Sequence, residues 1–474
     1  MIYLLFALSR SLSALFGMIS NTPYKNLKII HCNCINLKIK NLAPIMKYLP
    51  IDSNLFIKNR KKFISKLKPK SLAVFNSNDI YPISADSTLP FAQHRDIFYL
   101  SGVDQEESVL ILFPDAPKKS HKEILFLKET NEHIAIWEGE KLSKERALKT
   151  SGINTVYWLQ DLEKVLFELM TQADNIYINT NEYYRAHTET ETREARFVKW
   201  CKDKYPGHTY VRSQPILQRL RSLKEPEEIE LIQKACDITN KGFRRALKST
   251  KPGVWEYELE ADFLYEFIRN RANGFAYTPI IASGFNANIL HYIENNHQCK
   301  EGEVILMDVG AAYGNYSSDM TRSVPVSGKF SERQKDVYNA VLRIKKAAAK
   351  MLIPGTIISD YHEKIGNLMA EELIELELIS KEDIKNENPD WPAYKKFFMH
   401  GTSHHIGLDT HDYGILTDPI KAGMVFTVEP GIYIPDENLG IRLEDDYVVQ
   451  EVGEPINLMK DIPLEIEEIE EIMN

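Results

Sequence analysis

The stretch MHGTSHHIGLDTHD, residues 399–412, gathers four of the chain's thirteen histidines, with Asp409 and Asp412 among them. Imidazole is a common metal ligand and moves protons near neutral pH. Such a cluster, His400, His404, His405 and His411, points to metal binding, to acid–base work, or to both. A second set of reactive residues stands out of place. Acidic side chains are depleted in strands, yet Asp308 lies in VILMDVG, Glu429 in VFTVEPG and Glu444 in IRLEDD. A carboxylate among branched apolar neighbours needs a partner to offset the cost of leaving water. For any one of them alone, a salt bridge or a surface-facing position is the ordinary explanation.

Their spacing adds to this. Asp308 and Asp319 are symmetric about Tyr313 and Gly314, which begin a turn, YGN. A hairpin closed there sets the two aspartates opposite one another, an arrangement that destabilises a sheet unless something positive lies between. Arg442 and Glu444 are two apart and share one strand face, leaving Ile441 and Leu443 for the core. Carboxylates with imidazole suit divalent ions such as manganese better than copper(I) or iron–sulfur. Several carboxylates and a histidine can hold two ions sharing oxygens, about 3.5–4 Å apart. Without cations, the same convergence would push carboxylate pKa values strongly up. Spacing alone leaves open whether all of them converge.

The elements that must position these residues fall into two halves. SLAVFN (71–76), SVLILF (108–113), EILFL (123–127) and NIYIN (175–179) read as short strands, and DLEKVLFELMTQA (161–173) as an amphipathic helix. This predicts an α/β domain. A boundary is expected near residues 212–224. Pro226 then opens a helix, with Glu227 and Glu228 at the positive end of its dipole and Ile229, Ile232, Cys236 and Phe243 at helical spacing. Two more helices are expected in KPGVWEYELEADFLYEFIRNR and SERQKDVYNAVLRIKKAAAKM. Strand pairs alternate with these helices, predicting α+β with helices on one face of a largely antiparallel sheet. The expected division is an extension at 1–45 outside the fold, an α/β domain at 46–215 and this α+β domain at 216–474.

Composition narrows the function classes. The chain has 474 residues, is 43% hydrophobic and 26% charged, and carries a net charge of -9. That disfavours a nucleic-acid partner, because phosphate binding needs a basic face. Five scattered cysteines, without a CxxC pair, argue against a disulfide framework or a zinc ribbon and for a reducing compartment. Residues 1–51 hold six basic residues and no acidic one. Arg10 interrupts their apolar start, a poor spanning helix, and a basic lead-in typical of a secretory signal is lacking. A transit peptide or an over-extended start, with translation beginning at Met18 or Met46, are the readings left, the latter preferred. No other stretch suits a membrane, and the expected location is cytoplasmic. HRD at 94–96 is not a kinase catalytic loop, because Ser101 stands where asparagine is required.

Five blocks in order, IIASGFNANILHY, LMDVGAAYGNYSSDMTRSVPVSG, HGTSHHIGLDTHD, GMVFTVEPGIYI and GIRLEDDYVV, resemble the pita-bread metallopeptidases, and within them the Xaa-Pro aminopeptidases (aminopeptidase P). The resemblance covers about residues 54–470. It implies a C-terminal pita-bread (creatinase/aminopeptidase) catalytic domain behind an α/β N-terminal domain. It implies that Asp308, Asp319, His404, Glu429 and Glu444 hold two divalent ions, expected to be Mn2+, with Asp319 and Glu444 bridging them. His411 and His291 resemble the family's active-site histidines, and Arg442 the arginine beside the cluster. Glu429 would also shuttle a proton. His400 is expected in a supporting role, and His405 at the cleft wall or in solvent.

The implied activity is release of the first residue from peptides with proline second, by a hydroxide that two metals activate. The implied assembly is a homo-oligomer, dimer or tetramer. The nearest alternative is prolidase, which shares fold and ligands but takes Xaa-Pro dipeptides. Methionine aminopeptidase typically lacks a large α/β domain like the one at 54–215. Creatinase-like members, or a pita-bread binding protein without catalysis, would be expected to have lost ligands that are intact here.

Overall fold

The computed structural model describes residues 47–186 and 188–474. The expectations for residues 1–45 lie outside them, as do two of the five cysteines, Cys32 and Cys34. Among the described residues no helix is long and apolar enough to cross a membrane. Cys201, Cys236 and Cys299 are buried free thiols.

The N-terminal half is built on a mixed six-stranded sheet. Its strands are β1 (Ser71–Asn76), β2 (Val109–Leu112), β3 (Glu123–Leu127), β4 (Thr155–Trp158), β5 (Asn175–Ile178) and β6 (Thr209–Arg212), in the order β4-β3-β2-β1-β5-β6. The pairs β1–β2 and β2–β3 are antiparallel and the others parallel. Leu72, Val74, Val109, Ile111, Ile124 and Phe126 face a common core that the helix Leu162–Met170 closes with Leu166 and Leu169. Helix α1 (Ser53–Ile64) and helix α2 (Arg95–Ser101) pack together, Phe56 meeting Phe98 edge-on at 5.8 Å. The residues expected to connect the halves are themselves helical, as α3 (Gln214–Ser222).

Helix α4 (Pro226–Ser249) begins at the expected proline, with a capping box between Glu225 and Glu228. It packs along α5 (Glu256–Arg269). The sheets beyond are antiparallel throughout. One has β7 (Ile280–Ser283), β8 (Val304–Asp308) and β11 (Thr321–Pro325); between the last two, β9 (Ala311–Tyr313) and β10 (Tyr316–Ser317) form a hairpin resting on α4. Further on, β12 (Val425–Val428) pairs with β15 (Asp445–Val448), and β13 (Gly431–Ile434) with β14 (Leu439–Arg442). Helix α6 (Glu332–Met351) covers β14 and packs on α7 (Ile358–Glu375), a helix the sequence reading did not single out.

The hairpin register corrects one expectation. Its turn is Gly314–Asn315, both at positive φ (59° and 66°), the pairing a tight two-residue hairpin favours. Asp308 therefore sits opposite Thr321, and Asp319 falls two residues short of it. A second correction concerns the acidic residues. Asp308 ends β8, but Asp319, Glu429 and Glu444 lie in the gaps between consecutive strands. There the ladder is interrupted, and a carboxylate can turn inward without displacing a paired neighbour.

Candidate metal centre

The breaks converge on one cavity of about 440 Å³. Its wall includes every residue expected to act: His291, Asp308, Asp319, His404, His411, Glu429, Arg442 and Glu444. Donor atoms of Asp319, His404 and Glu444 lie within 4.8 Å of one another. Glu429 joins them through His404, whose Nε2 is 3.5 Å from Asp319 Oδ2 and 3.7 Å from Glu429 Oε1. Asp308 sits one step aside. The Tyr277 hydroxyl lies 2.6 Å from Asp308 Oδ1 and 2.5 Å from Asp319 Oδ1, so its single proton is shared between them. Arg442 donates from Nη2 to Asp308 Oδ2 at 2.6 Å, and from Nη1 to the Tyr433 hydroxyl at 2.8 Å.

Local pairing explains the placement. The segment carrying His404 runs antiparallel to β12: Thr427 N donates to His404 O at 3.0 Å and Glu429 N to Thr402 O at 2.8 Å. The hairpin side is held by Gly310, where an added Cβ would come 1.8 Å from Ser318 O. Asp319 N donates to Asp446 Oδ2 at 3.1 Å, and Thr321 Oγ1 to Glu444 Oε2 at 2.7 Å. These bonds bring β11 and the β14–β15 junction together.

The donor set fits a divalent ion. His404 Nδ1 lies 3.0 Å from the His405 carbonyl, which requires Nδ1 to carry the proton and leaves the Nε2 lone pair directed at the carboxylates. Glu444 Oε1 is buried and finds no hydrogen-bond partner among the described residues, an expensive state that a cation would relieve. The electrostatics agree. Burial, then Asp308 beside it, pushes Asp319 well above the usual carboxylate range. Burial, then Asp319 and Glu429, does the same to Glu444. Burial raises Glu429 to about 7 against the opposing pull of His404.

The histidines divide by environment. His411 meets the His404 ring edge-on at 4.4 Å, and burial followed by His404 lowers it to about 3, so it is neutral at pH 7. His400 lines the same cavity and joins the Tyr433 hydroxyl at 2.7 Å through Nε2. His405 is buried rather than solvent-facing. Its ring packs on Phe426 at 4.2 Å and lines an adjoining apolar cavity.

Sequence reasoning missed Tyr277, His362, Ser403, Tyr184 and Arg185, all on the cavity wall. Tyr277 stands just ahead of β7, and its hydroxyl was the only signal there: a buried phenol needs a polar partner. Tyr184 and Arg185 come from the N-terminal half, so nothing near the metal-ligand motifs in sequence announces them.

Comparisons with known proteins give the same reading. Metallopeptidase family M24 matches residues 230–451, and the aminopeptidase P N-terminal domain matches residues 56–177. The Xaa-Pro aminopeptidase of Escherichia coli is 32% identical over 431 residues, covering 88% of this chain and 97% of its own. Xaa-Pro aminopeptidase 3 of Homo sapiens is 32% identical over 410 residues, covering 84% and 79%. The structure of aminopeptidase P from E. coli with the inhibitor Pro-Leu superposes with a TM-score of 0.81 at 31% identity, covering 90% of this chain and 99% of that one. Two matched regions in the expected order, over a complete set of candidate ligands, place this chain in the aminopeptidase P family of M24 metallopeptidases.

Proposed function

We propose that this chain is a metal-dependent aminopeptidase that releases the first residue of peptides carrying proline second. The supporting observation is the convergence of Asp319, His404 and Glu444, with Glu429 beside them and one Glu444 oxygen unpartnered. Asp308, Asp319, His404, Glu429 and Glu444 are the residues that would hold two divalent ions, with Mn2+ the favoured metal. Such ions, when bound, supply Lewis-acid activation of water and of the scissile carbonyl.

The chain's own residues do the rest. The substrate's free amine is drawn to the acidic cluster, which favours attack at the first bond over any internal one. The leaving proline nitrogen is a tertiary amide without hydrogen, so it must gain a proton to depart. Glu429, beside His404 at the edge of the cluster, is the carboxylate this reading assigns to carry that proton. His411, neutral, can donate an N–H to the carbonyl oxygen as negative charge develops there. His291 lines the same wall, where it would meet the substrate. Arg442 fixes Asp308 and Tyr433 and keeps a positive charge beside four carboxylates.

The test is release of the first amino acid from a Xaa-Pro-Xaa tripeptide, after chelation, with and without added manganese. Activity that appears only with metal is expected; none under either condition overturns the reading. A Xaa-Pro dipeptide assayed in parallel separates prolidase, which would prefer it. Three further parts of the proposal rest on the sequence: a homo-oligomer, a cytoplasmic location, and division into an extension at 1–45 and domains at 46–215 and 216–474. Buried free thiols at Cys201, Cys236 and Cys299 suit a reducing compartment.

A further inference from the structure

We propose that Arg221, a residue outside the metal cavity, is a positioning residue for His411, and that through it the N-terminal half sets the geometry of the active site. The inference rests on the aminopeptidase reading and extends it to a residue no motif points to.

Arg221 lies on α3 and is 2% exposed. Its Nη2 donates to Asp409 Oδ2 and to Asp412 Oδ1, both at 2.6 Å. Those aspartates bracket His411. One nitrogen therefore ties together the two ends of the turn that carries the ring. Its Nη1 donates to Asp96 Oδ1 at 2.9 Å, on α2 of the N-terminal half. Asp96 is held there by Asn179 at 2.8 Å and Gln214 at 2.7 Å on its other oxygen. The guanidinium also stacks over the Tyr413 ring at 4.5 Å.

The turn has little freedom left. Asp412 Oδ2 takes Lys224 Nζ at 3.1 Å, and Asp412 N donates to His405 O at 2.8 Å. Gly407 runs so close beneath that an added Cβ would meet Asp412 Oδ2 at 2.2 Å. The His411 ring projects from this clamped turn to the His404 ring at 4.4 Å. Three carboxylates on one guanidinium need its rigid, planar fork, which the point charge of lysine cannot reproduce. Lysine at this position would keep the charge and release the turn.

The experiment is a double-mutant cycle on kcat with a Xaa-Pro-Xaa tripeptide and saturating manganese. It uses the wild type, Arg221→Lys, His411→Ala and the double variant. Arg221→Lys should lower kcat on the order of 100-fold, as expected when a reacting group is misplaced by about 1 Å. In the His411→Ala background the same change should cost less than about 3-fold, because the interaction it serves is already gone. Manganese stoichiometry should be unchanged in both. Equal losses in the two backgrounds, or no loss in either, overturn the proposal, since a purely structural arginine costs the same whether or not His411 is present. If Arg221→Lys does not fold, Asp409→Asn carries the same cycle, because it leaves Arg221 bound to Asp96 and Asp412. Its loss, about 10-fold for one released contact of several, must likewise vanish without His411. A wild type inactive on the tripeptide refutes the aminopeptidase reading and this proposal with it. An active wild type with matched losses refutes only the role of Arg221.

Discussion

Replacing Glu429 by glutamine should stabilise the metal-free protein in alkaline solution while impairing it as an enzyme. Burial raises Glu429 from 4.5 to about 7, its side chain being 21% exposed. Between those two values the folded chain holds a proton that the unfolded chain has released. The stability this group contributes is therefore complete below about pH 4.5 and is lost as pH rises through about 7. At about 1.36 kcal/mol per pH unit the loss is about 3 kcal/mol. Glutamine has the same shape and does not titrate. The stability difference, variant minus wild type, should thus climb by about 2.5 kcal/mol between pH 5 and pH 8, whatever constant offset the amide adds. Groups away from Glu429 titrate alike in both proteins and cancel, while Glu444, which the Glu429 charge helps to raise, is relieved in the variant and can only add to the difference. Urea unfolding of chelator-treated protein at pH 5, 6, 7 and 8 measures it. Added manganese should reverse the order at pH 8, since a ligand at about 1,000 times its Kd stabilises by about 4.1 kcal/mol and the wild type binds it more tightly. Parallel pH profiles for the two proteins, or a wild type that gains on the variant as pH rises without metal, would refute the reasoning.

Other consequences can be measured directly. Asp308→Asn should reduce bound manganese from two ions to one and lower tripeptide hydrolysis at least about 100-fold, read by metal analysis and a rate assay. Gly310→Ala forces a Cβ into Ser318 O and should cost more than about 2 kcal/mol of stability. Gly207→Ala, with nothing within 4 Å, should stay within about 0.5 kcal/mol. Lys345→Met leaves the buried Asp445 with Arg322 as its one ion-pair partner, beside the Asn457 amide, at a cost of about 3–5 kcal/mol. Burial by itself would raise Asp445, but Arg322 and Lys345 hold it below 3.8. That penalty should accordingly be full above about pH 4 and shrink as pH falls further, which unfolding at pH 7 and pH 3 would show.

The candidate metal-binding residues were legible because they break a local rule. Aspartate and glutamate amid Val, Ile and Leu need a reason, and four carboxylates, Asp308, Asp319, Glu429 and Glu444, reach one cavity together with His404. What the sequence hid depends on register and distance. The turn at Gly314–Asn315 shifted the pairing of Asp308, because glycine and asparagine both tolerate positive φ and a shift by one residue reads the same in composition. Tyr277 looked like one more aromatic of a strand. Arg221 finds its acidic partners at separations of 125, 188 and 191 residues, beyond any motif. His405 differs from His404 by one position, yet strand alternation turns it to the opposite side.

The tip of the hairpin carrying Asp308 and Asp319 is gripped from the far end of the chain. Arg95 and Asp104 bind Asn315, and Leu49 N reaches the Tyr313 hydroxyl. During synthesis these anchors leave the ribosome long before the hairpin does, and Glu444 follows last of the five candidate ligands. A nascent chain therefore carries the docking surface early and a complete hydrolytic centre only near the end of translation, so prematurely terminated products should be inert toward the peptides around them.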